Sequence, residues 1–260
     1  MATFLFDEII FGPVKSRRLG VSLGINLLPT KRKICNFNCI YCECGWTTDI
    51  ESEKGNLPGR ADVYKALEQK LSEMKSANDS PDVITYAGNG EPTLHPEFSG
   101  IIDDSIALRN KYFPKAKIAV LSNATNIAKP GIRNALLKVD QNILKLDSAI
   151  NSTIQVHNQP KGTFNVEELI NNLAGFNGNV IIQTLFLRGE YKDANIDNTT
   201  PVELAAWLRA LERIKPSEVM IYTISRDTPV GDKLKKVPLK ELKEIAAMVE
   251  KLGFKTQVSG

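Results

Sequence analysis

The chain has 260 residues, with 33 Lys and Arg against 30 Asp and Glu, 42% apolar and 24% charged residues, and a formal net charge of +3. This is the balance of an ordinary soluble globular protein, and the charge is too mild to demand a nucleic-acid partner. No run approaches the roughly 18 apolar residues that read as a membrane span, so no membrane partner is expected.

Residues 1–20 read as a lead-in. Their apolar stretch is interrupted by Asp7 and Glu8 and is not preceded by basic residues, so it lacks the order of a signal peptide, and the expected location is cytoplasmic. Residues 21–27 alternate as a strand does, ended by Pro29, and a cysteine-bearing loop follows at 31–46. Over 61–75, Tyr64, Leu67, Leu71 and Met74 recur with helical spacing. Residues 82–87 form a strand entering a Gly-rich turn, Gly88-Asn89-Gly90-Glu91.

The alternation then repeats. Strands are predicted at 117–122, 141–146, 179–185 and 218–223, and helices at 98–111, 130–138, 166–174, 200–214 and 239–252. Thr200 followed by Pro201 is a helix start, and Gly253 after Lys251 is a helix stop. Six βα units in series imply parallel strands joined by right-handed crossovers, either in an open doubly wound sheet or in a closed or partly closed barrel. No linker or composition break divides the chain, so one domain over 1–260 is expected. In either architecture ligands gather beyond the C-terminal ends of the strands, where the loop at 31–46 and the turn at 88–91 both fall.

All four cysteines lie between Cys35 and Cys44, in the pattern Cys35-x3-Cys39-x2-Cys42 with Cys44 two residues on. Disulfides within so tight a cluster would close tiny loops with little entropic gain. A structural zinc site usually draws two cysteine pairs from different segments, and neither histidine, His95 or His157, has finger-like spacing. Three thiolates on one loop, with a fourth position open, suit an iron–sulfur cubane better, although Cys44 remains a candidate fourth ligand for zinc or a closed cluster.

The pattern of Cys35, Cys39 and Cys42, with Tyr41 before the third cysteine and the Gly88-Asn89-Gly90-Glu91 turn after the second strand, resembles the radical S-adenosylmethionine (radical SAM) superfamily. The resemblance implies a single-domain partial (β/α)6 TIM-like barrel. It also implies one 4Fe-4S cluster on the three cysteines and S-adenosyl-L-methionine chelated at the open iron, with Cys44 a bystander. Reductive cleavage of the cofactor would give a 5′-deoxyadenosyl radical that abstracts hydrogen from a substrate.

By the same resemblance Tyr41, Gly88, Asn89, Gly90 and Glu91 line the cofactor, the turn receiving its amino group. Ser122, Asn123, Lys145 and Asp147 stand where relatives contact its carboxylate and ribose. Gln183 and Ile224 are similarly placed for ribose or adenine. Gly12-Pro13-Val14, Ser16-Arg17-Arg18-Leu19-Gly20 and the stretch 88–96 are similar to the branch containing 4-demethylwyosine synthase, but no cysteine precedes Cys35 to hold that branch's second cluster.

Substrate contacts are expected from Arg17 and Arg18, and from His95 and His157 in predicted loops. Lys15, Arg17, Arg18, Lys31, Arg32 and Lys33 form a cationic run that suits a phosphate, a carboxylate or an acidic electron donor such as flavodoxin or ferredoxin. The substrate class stays open among small molecule, peptide and RNA. The competing readings are a non-enzymatic iron–sulfur or zinc protein, a glycyl-radical activase and a tRNA-modifying enzyme.

Overall fold

The computed structural model describes residues 4–47 and 57–260, so residues 1–3 of the lead-in lie outside the described residues. In chain order the elements are β1 (Ile10–Ser16), β2 (Gly20–Ile25), α1 (Arg60–Ser76), β3 (Val83–Tyr86), α2 (Phe98–Tyr112), β4 (Lys117–Ser122) and α3 (Pro130–Leu136). There follow β5 (Gln141–Lys145), α4 (Asn151–His157), α5 (Val166–Ala174), β6 (Ile181–Tyr191), β7 (Ala194–Asp197) and α6 (Pro201–Ile214). The chain finishes with β8 (Glu218–Thr223), β9 (Leu234–Lys236), α7 (Leu239–Lys251) and β10 (Lys255–Ser259).

The ten strands form one sheet whose main path runs β1-β2-β3-β4-β5-β6-β8-β10. Every neighbouring pair from β2 to β10 along that path is parallel, and β1 is antiparallel to β2 at one edge. Helices bridge successive parallel strands, as short loops and parallel pairing require.

Side-chain alternation divides the strands between two environments. Val83, Ala119, Ile143, Ile181 and Met220, one from each of five adjacent strands, pack together with Leu19 on the concave side. Their neighbours Ile84, Ile118, Leu144, Ile182 and Ile221 face the helices, meeting Leu67, Leu71, Ile101, Leu136, Leu173, Leu211 and Ile245. Burying each such side chain contributes roughly 1.5–3 kcal/mol. Helix starts follow their capping residues: Asn165 Oδ1 accepts from Glu167 N at 2.8 Å, and Thr200 Oγ1 accepts from Glu203 N at 3.4 Å ahead of Pro201.

The edges β1 and β10 share no ladder. They come within side-chain reach all the same: Arg17 Nη1 donates to Gly260 O at 2.6 Å, and Gln257 Nε2 donates to Arg18 O at 2.8 Å. The sheet is therefore a partial barrel of six βα units with β10 added, which selects the barrel over the open doubly wound alternative.

Several elements depart from the sequence expectation. The lead-in contains β1, whose mostly exposed residues and Pro13 hide a strand pattern. Strand β6 runs on to Tyr191, because its polar second half pairs with β7 and β9 beyond the barrel. Helix α4 spans one short stretch read as loop, and it places His157 at a helix end. Strand β10 carries only half-buried and exposed residues, so no alternation marks it. Among the described residues no helix is long and apolar enough to cross a membrane.

Candidate active site

The chain leaves β2 through Asn26, which bends it by donating from Nδ2 to Leu28 O (2.9 Å) and accepting at Oδ1 from Leu28 N (3.2 Å). The cysteine loop then lies across the C-terminal mouth of the barrel, and its backbone is bound by separate segments. Ile34 N donates to Asn89 O (2.8 Å) and Ile34 O accepts from Glu91 N (3.0 Å). Asn38 N donates to Asn158 O (2.8 Å), Ile40 N to His157 O (3.0 Å), and Lys161 N to Asn36 O (2.8 Å). Phe37 and Ile40 anchor the loop in an apolar cluster with Leu185, Leu187, Ile196, Ile224 and Leu234.

Close approach explains the turn glycines. Gly90 has φ +137°, and a Cβ there would lie 1.7 Å from Ile34 O. A Cβ on Gly88 would meet Asn26 Oδ1 at 2.4 Å. Only hydrogen at these two positions lets the turn after β3 sit against the cysteine loop.

All four thiols are free, with Cys35 and Cys39 buried and Cys42 and Cys44 half-buried. Burial pushes the Cys35 thiol up to about 12 and raises that of Cys39. Cys42 is drawn down to about 5 by a hydrogen bond from Cys44, and by the charge and hydrogen bond of Lys33 against an opposing burial cost. Cys44 is raised by that same bond to Cys42 and by burial, so it stays a protonated donor, with Gly88 O 3.6 Å from its sulfur.

Polar or cationic side chains stand beside Cys35, Cys39 and Cys42. Asn123 Nδ2 lies 3.5 Å from Cys35 Sγ and Asn158 Nδ2 lies 3.4 Å from Cys39 Sγ, while Lys33 donates to Gly45 O (3.0 Å) in the turn closed by Gly45 N on Cys42 O (2.9 Å). Among the described residues no three His, Cys, Asp or Glu side chains converge on the position of a single metal ion. Three thiols on one loop, two of them met by amide N–H groups and the third near a buried ammonium, fit the soft multi-iron cluster that the sequence resemblance implies.

The other sequence-predicted residues fall into connected groups. Glu91 is buried, and its carboxylate accepts from Ser122 Oγ (2.8 Å), Asn123 N (2.7 Å), Thr93 N (3.1 Å) and Thr93 Oγ1 (2.5 Å). Burial raises its pKa against these bonds, which favour the charged form. Glu91 thus ties the turn after β3 to the end of β4, and Ser122 and Asn123 are its partners. Asn89 binds Phe6 N and O (2.9 and 2.8 Å) and Pro29 O (2.9 Å), clamping the lead-in beside the loop.

Asp147 is the centre of a second group. It accepts from Tyr41 Oη, from Asn158 Nδ2 (2.7 Å), from Leu185 N (3.0 Å), and from Lys145 Nζ at 3.4 Å. Burial and the Asp147 charge hold Tyr41 well above its ordinary value, so it remains a hydroxyl donor. Burial alone would lower Lys145, but Asp147 and Tyr222 outweigh it and the net shift is upward. Lys145 Nζ also donates to Tyr222 Oη at 3.2 Å.

Arg18 stacks its guanidinium 4.5 Å from the centre of the Tyr222 ring and reaches Gln183 Oε1 at 3.4 Å. Arg17 donates to Ser225 Oγ at 2.8 Å. These arginines, with Arg226, Tyr41, Tyr222 and Ile224, line a cavity of about 70 Å³ inside the mouth.

Both histidines are buried, which the loop expectation did not foresee. His95 is bonded at both ring nitrogens, Nε2 to Pro58 O (2.9 Å) and Nδ1 from Glu97 N (3.1 Å), at the start of α2. His157, at the end of α4, is lowered to about 4 by burial, and its Nδ1 has no partner. Trp46 lies over Tyr191 with ring centres 6.1 Å apart, and it is 39% exposed. Sequence reasoning passed over Lys33 as a site residue because it stands in a cationic run, and passed over Asn158 because nothing in its neighbours' spacing marks it. Tyr222 could have been found from strand alternation, since it shares a face with Met220 and Ile224.

No family model matches the chain. The architecture is that of the radical SAM enzymes. A radical SAM methyltransferase from Sphaerobacter thermophilus matches with a TM-score of 0.67 at 11% identity, over 92% of this chain and 65% of that one. Streptococcus suis SuiB bound to S-adenosylmethionine matches at 0.61 and 15% identity, over 92% of this chain and 47% of that one. Archaeal TYW1 matches at 0.54 and 13% identity, over 88% and 71% of the two chains.

In sequence the chain is 30% identical to the UPF0026 protein of Synechocystis over 229 residues, 86% of this chain and 78% of that protein, and it belongs to the UPF0026 family. The UPF0026 protein of Methanocaldococcus jannaschii is 28% identical over 256 residues, 96% of this chain and 74% of that one. A protein named GTPase Obg from Brachyspira hyodysenteriae is 31% identical over 229 residues, 84% of this chain but 30% of that longer protein's length.

Proposed function

We propose that this protein is a radical SAM enzyme that works with a single 4Fe-4S cluster. The observation that carries the reading is the joining of two motifs at the mouth of a parallel barrel: Ile34, next to Cys35, is hydrogen-bonded on both sides to the Gly88-Asn89-Gly90-Glu91 turn. When bound, the cluster and S-adenosylmethionine supply one-electron cleavage of a carbon–sulfur bond and a 5′-deoxyadenosyl radical for hydrogen abstraction.

The chain's own residues orient and enclose that chemistry. Cys35, Cys39 and Cys42 hold the cluster. The 88–90 turn, its backbone bonded to Ile34 and Asn26, stands beside the loop where a ligand would lie, and Glu91 ties it to the end of β4. Leu185, Ile224 and Leu234 form an apolar wall that keeps water from the loop. Arg17, Arg18 and Arg226, against the single acid Glu43, give the cavity a cationic lining that suits the carboxylate of the cofactor or an anionic group on the substrate. A low-potential carrier such as flavodoxin or ferredoxin delivers the electron.

The test is anaerobic reconstitution. About four irons per chain and formation of 5′-deoxyadenosine on reduction with S-adenosylmethionine are expected. Cluster-loaded protein that leaves the cofactor intact under strong reduction overturns the reading.

A further inference from the structure

Lys33 stands two residues before Cys35 in the exposed-looking cationic run, yet it is only 3% exposed. Its ammonium donates to Gly45 O at 3.0 Å, in the turn that Gly45 N closes on Cys42 O at 2.9 Å, and the sulfurs of Cys42, Cys39 and Cys35 are the near groups that favour its charged form. Among the described residues no carboxylate lies within ion-pair distance of it, unlike Lys145, which has Asp147. A buried ammonium with no acid partner is costly, by several kcal/mol in general. With a cluster bound, negative charge on the three ligating sulfurs would offset that cost.

Asn158 is the second donor. Its side chain is fully buried, and Nδ2 is shared among Cys39 Sγ, Tyr41 Oη (2.8 Å) and Asp147 Oδ2 (2.7 Å), while Oδ1 has no partner. The orientation is fixed chemically: turning the amide over would set its oxygen against the Asp147 carboxylate, which can only accept. Asp147 and Tyr41 therefore aim an N–H at the sulfur of Cys39.

We propose that Lys33 and Asn158 are positioning residues that raise the reduction potential of the cluster held by Cys35, Cys39 and Cys42, an inference that rests on the cluster reading above. On reduction one electron enters the cluster and its negative charge grows by one. A fixed positive charge and an N–H dipole directed at the ligating sulfurs stabilise the reduced form more than the oxidised form. In a buried, weakly screened site the full charge of Lys33 acts more strongly than the amide. A purely structural Lys33, tethering the Gly45 turn, would leave the potential unmoved.

The experiment is a dithionite titration with redox mediators, followed by electron paramagnetic resonance, on the reconstituted full chain without S-adenosylmethionine. Lys33→Met is expected to lower the reduced-to-oxidised ratio at a fixed potential at least tenfold, about 59 mV for a one-electron couple. Lys33→Arg is expected to restore most of it, and Asn158→Ala to give a smaller change of the same sign. A wild-type chain that takes up no four-iron cluster overturns the functional reading itself. A loaded Lys33→Met chain that titrates with the wild type overturns the tuning role alone. If Lys33→Met holds no iron, loaded Asn158→Ala decides: a midpoint equal to the wild type overturns the proposal, and a lowered one supports it.

Discussion

Replacing Gly90 with alanine tests whether the glycine turn and the cysteine loop are one unit. The new Cβ would stand 1.7 Å from Ile34 O and 2.9 Å from Leu28 Cδ1, and the first of these is backbone that cannot rotate away. The residue would also be held at φ +137°, a conformation that costs a side-chain-bearing residue about 1–3 kcal/mol. Moving Ile34 aside sacrifices its bonds to Asn89 O and from Glu91 N, each worth about 0.5–1.5 kcal/mol. The sum is roughly 2–6 kcal/mol, a large share of the 5–15 kcal/mol typical of a folded domain.

Urea unfolding of the metal-free protein reads this cost, and iron uptake reads its consequence for the loop. Gly131→Ala is the control: its Cβ would meet nothing closer than Ser99 Oγ at 3.6 Å, and alanine suits helix α3 better than glycine. Gly90→Ala is expected to unfold at markedly lower urea and to bind less iron, and Gly131→Ala to match or exceed the wild type. A Gly90→Ala protein within about 1 kcal/mol of wild type, with full iron content, refutes the reasoning.

Other substitutions probe the neighbouring groups. Cys44→Ser should keep near wild-type iron while Cys39→Ser loses most of it; equal losses in an iron assay would make Cys44 a ligand. Asp147→Asn leaves the buried Lys145 without its carboxylate and should cost about 3–5 kcal/mol in urea unfolding; a cost under about 1 kcal/mol would show that the group does not act as a charge partner. His157 titrates near 4 when folded against an ordinary 6.5, so the unfolded chain takes up the proton first. Its contribution is complete above about pH 6.5 and is lost as pH falls toward about 4, up to about 3 kcal/mol in all. His157→Phe should flatten the dependence of metal-free stability over that range, and an unchanged slope would count against the buried neutral imidazole.

The parallel βα series was legible because strands 117–122, 141–146 and 218–223 are buried runs between helices whose apolar residues recur with helical period, whereas the choice of barrel over open sheet came from the family resemblance and not from that pattern. Elements whose residues answer to neither pattern were not legible. Strand β10 borders the open edge with polar side chains, and α4 is too short for a period to show. At the site, the cysteines and the glycine turn announce themselves by spacing, since iron ligands and close backbone approach each restrict residue type. Lys33 does not: a lysine beside Lys31 and Arg32 reads as solvated charge, and only the fold of the loop over Gly45 buries it. Glu91, read as a ligand for the cofactor, is met in the structure by four donors of the protein itself, because the turn that brings it to the mouth also brings it to the end of β4.

The two side-chain bonds that span β1 and β10 make the sheet a split ring. Parting the edges there breaks Arg17 to Gly260 and Gln257 to Arg18, each a matter of about 1 kcal/mol, and leaves every ladder bond intact. Arg17 and Arg18 also line the cavity at the mouth, so the residues that latch the ring are among those that would touch its contents.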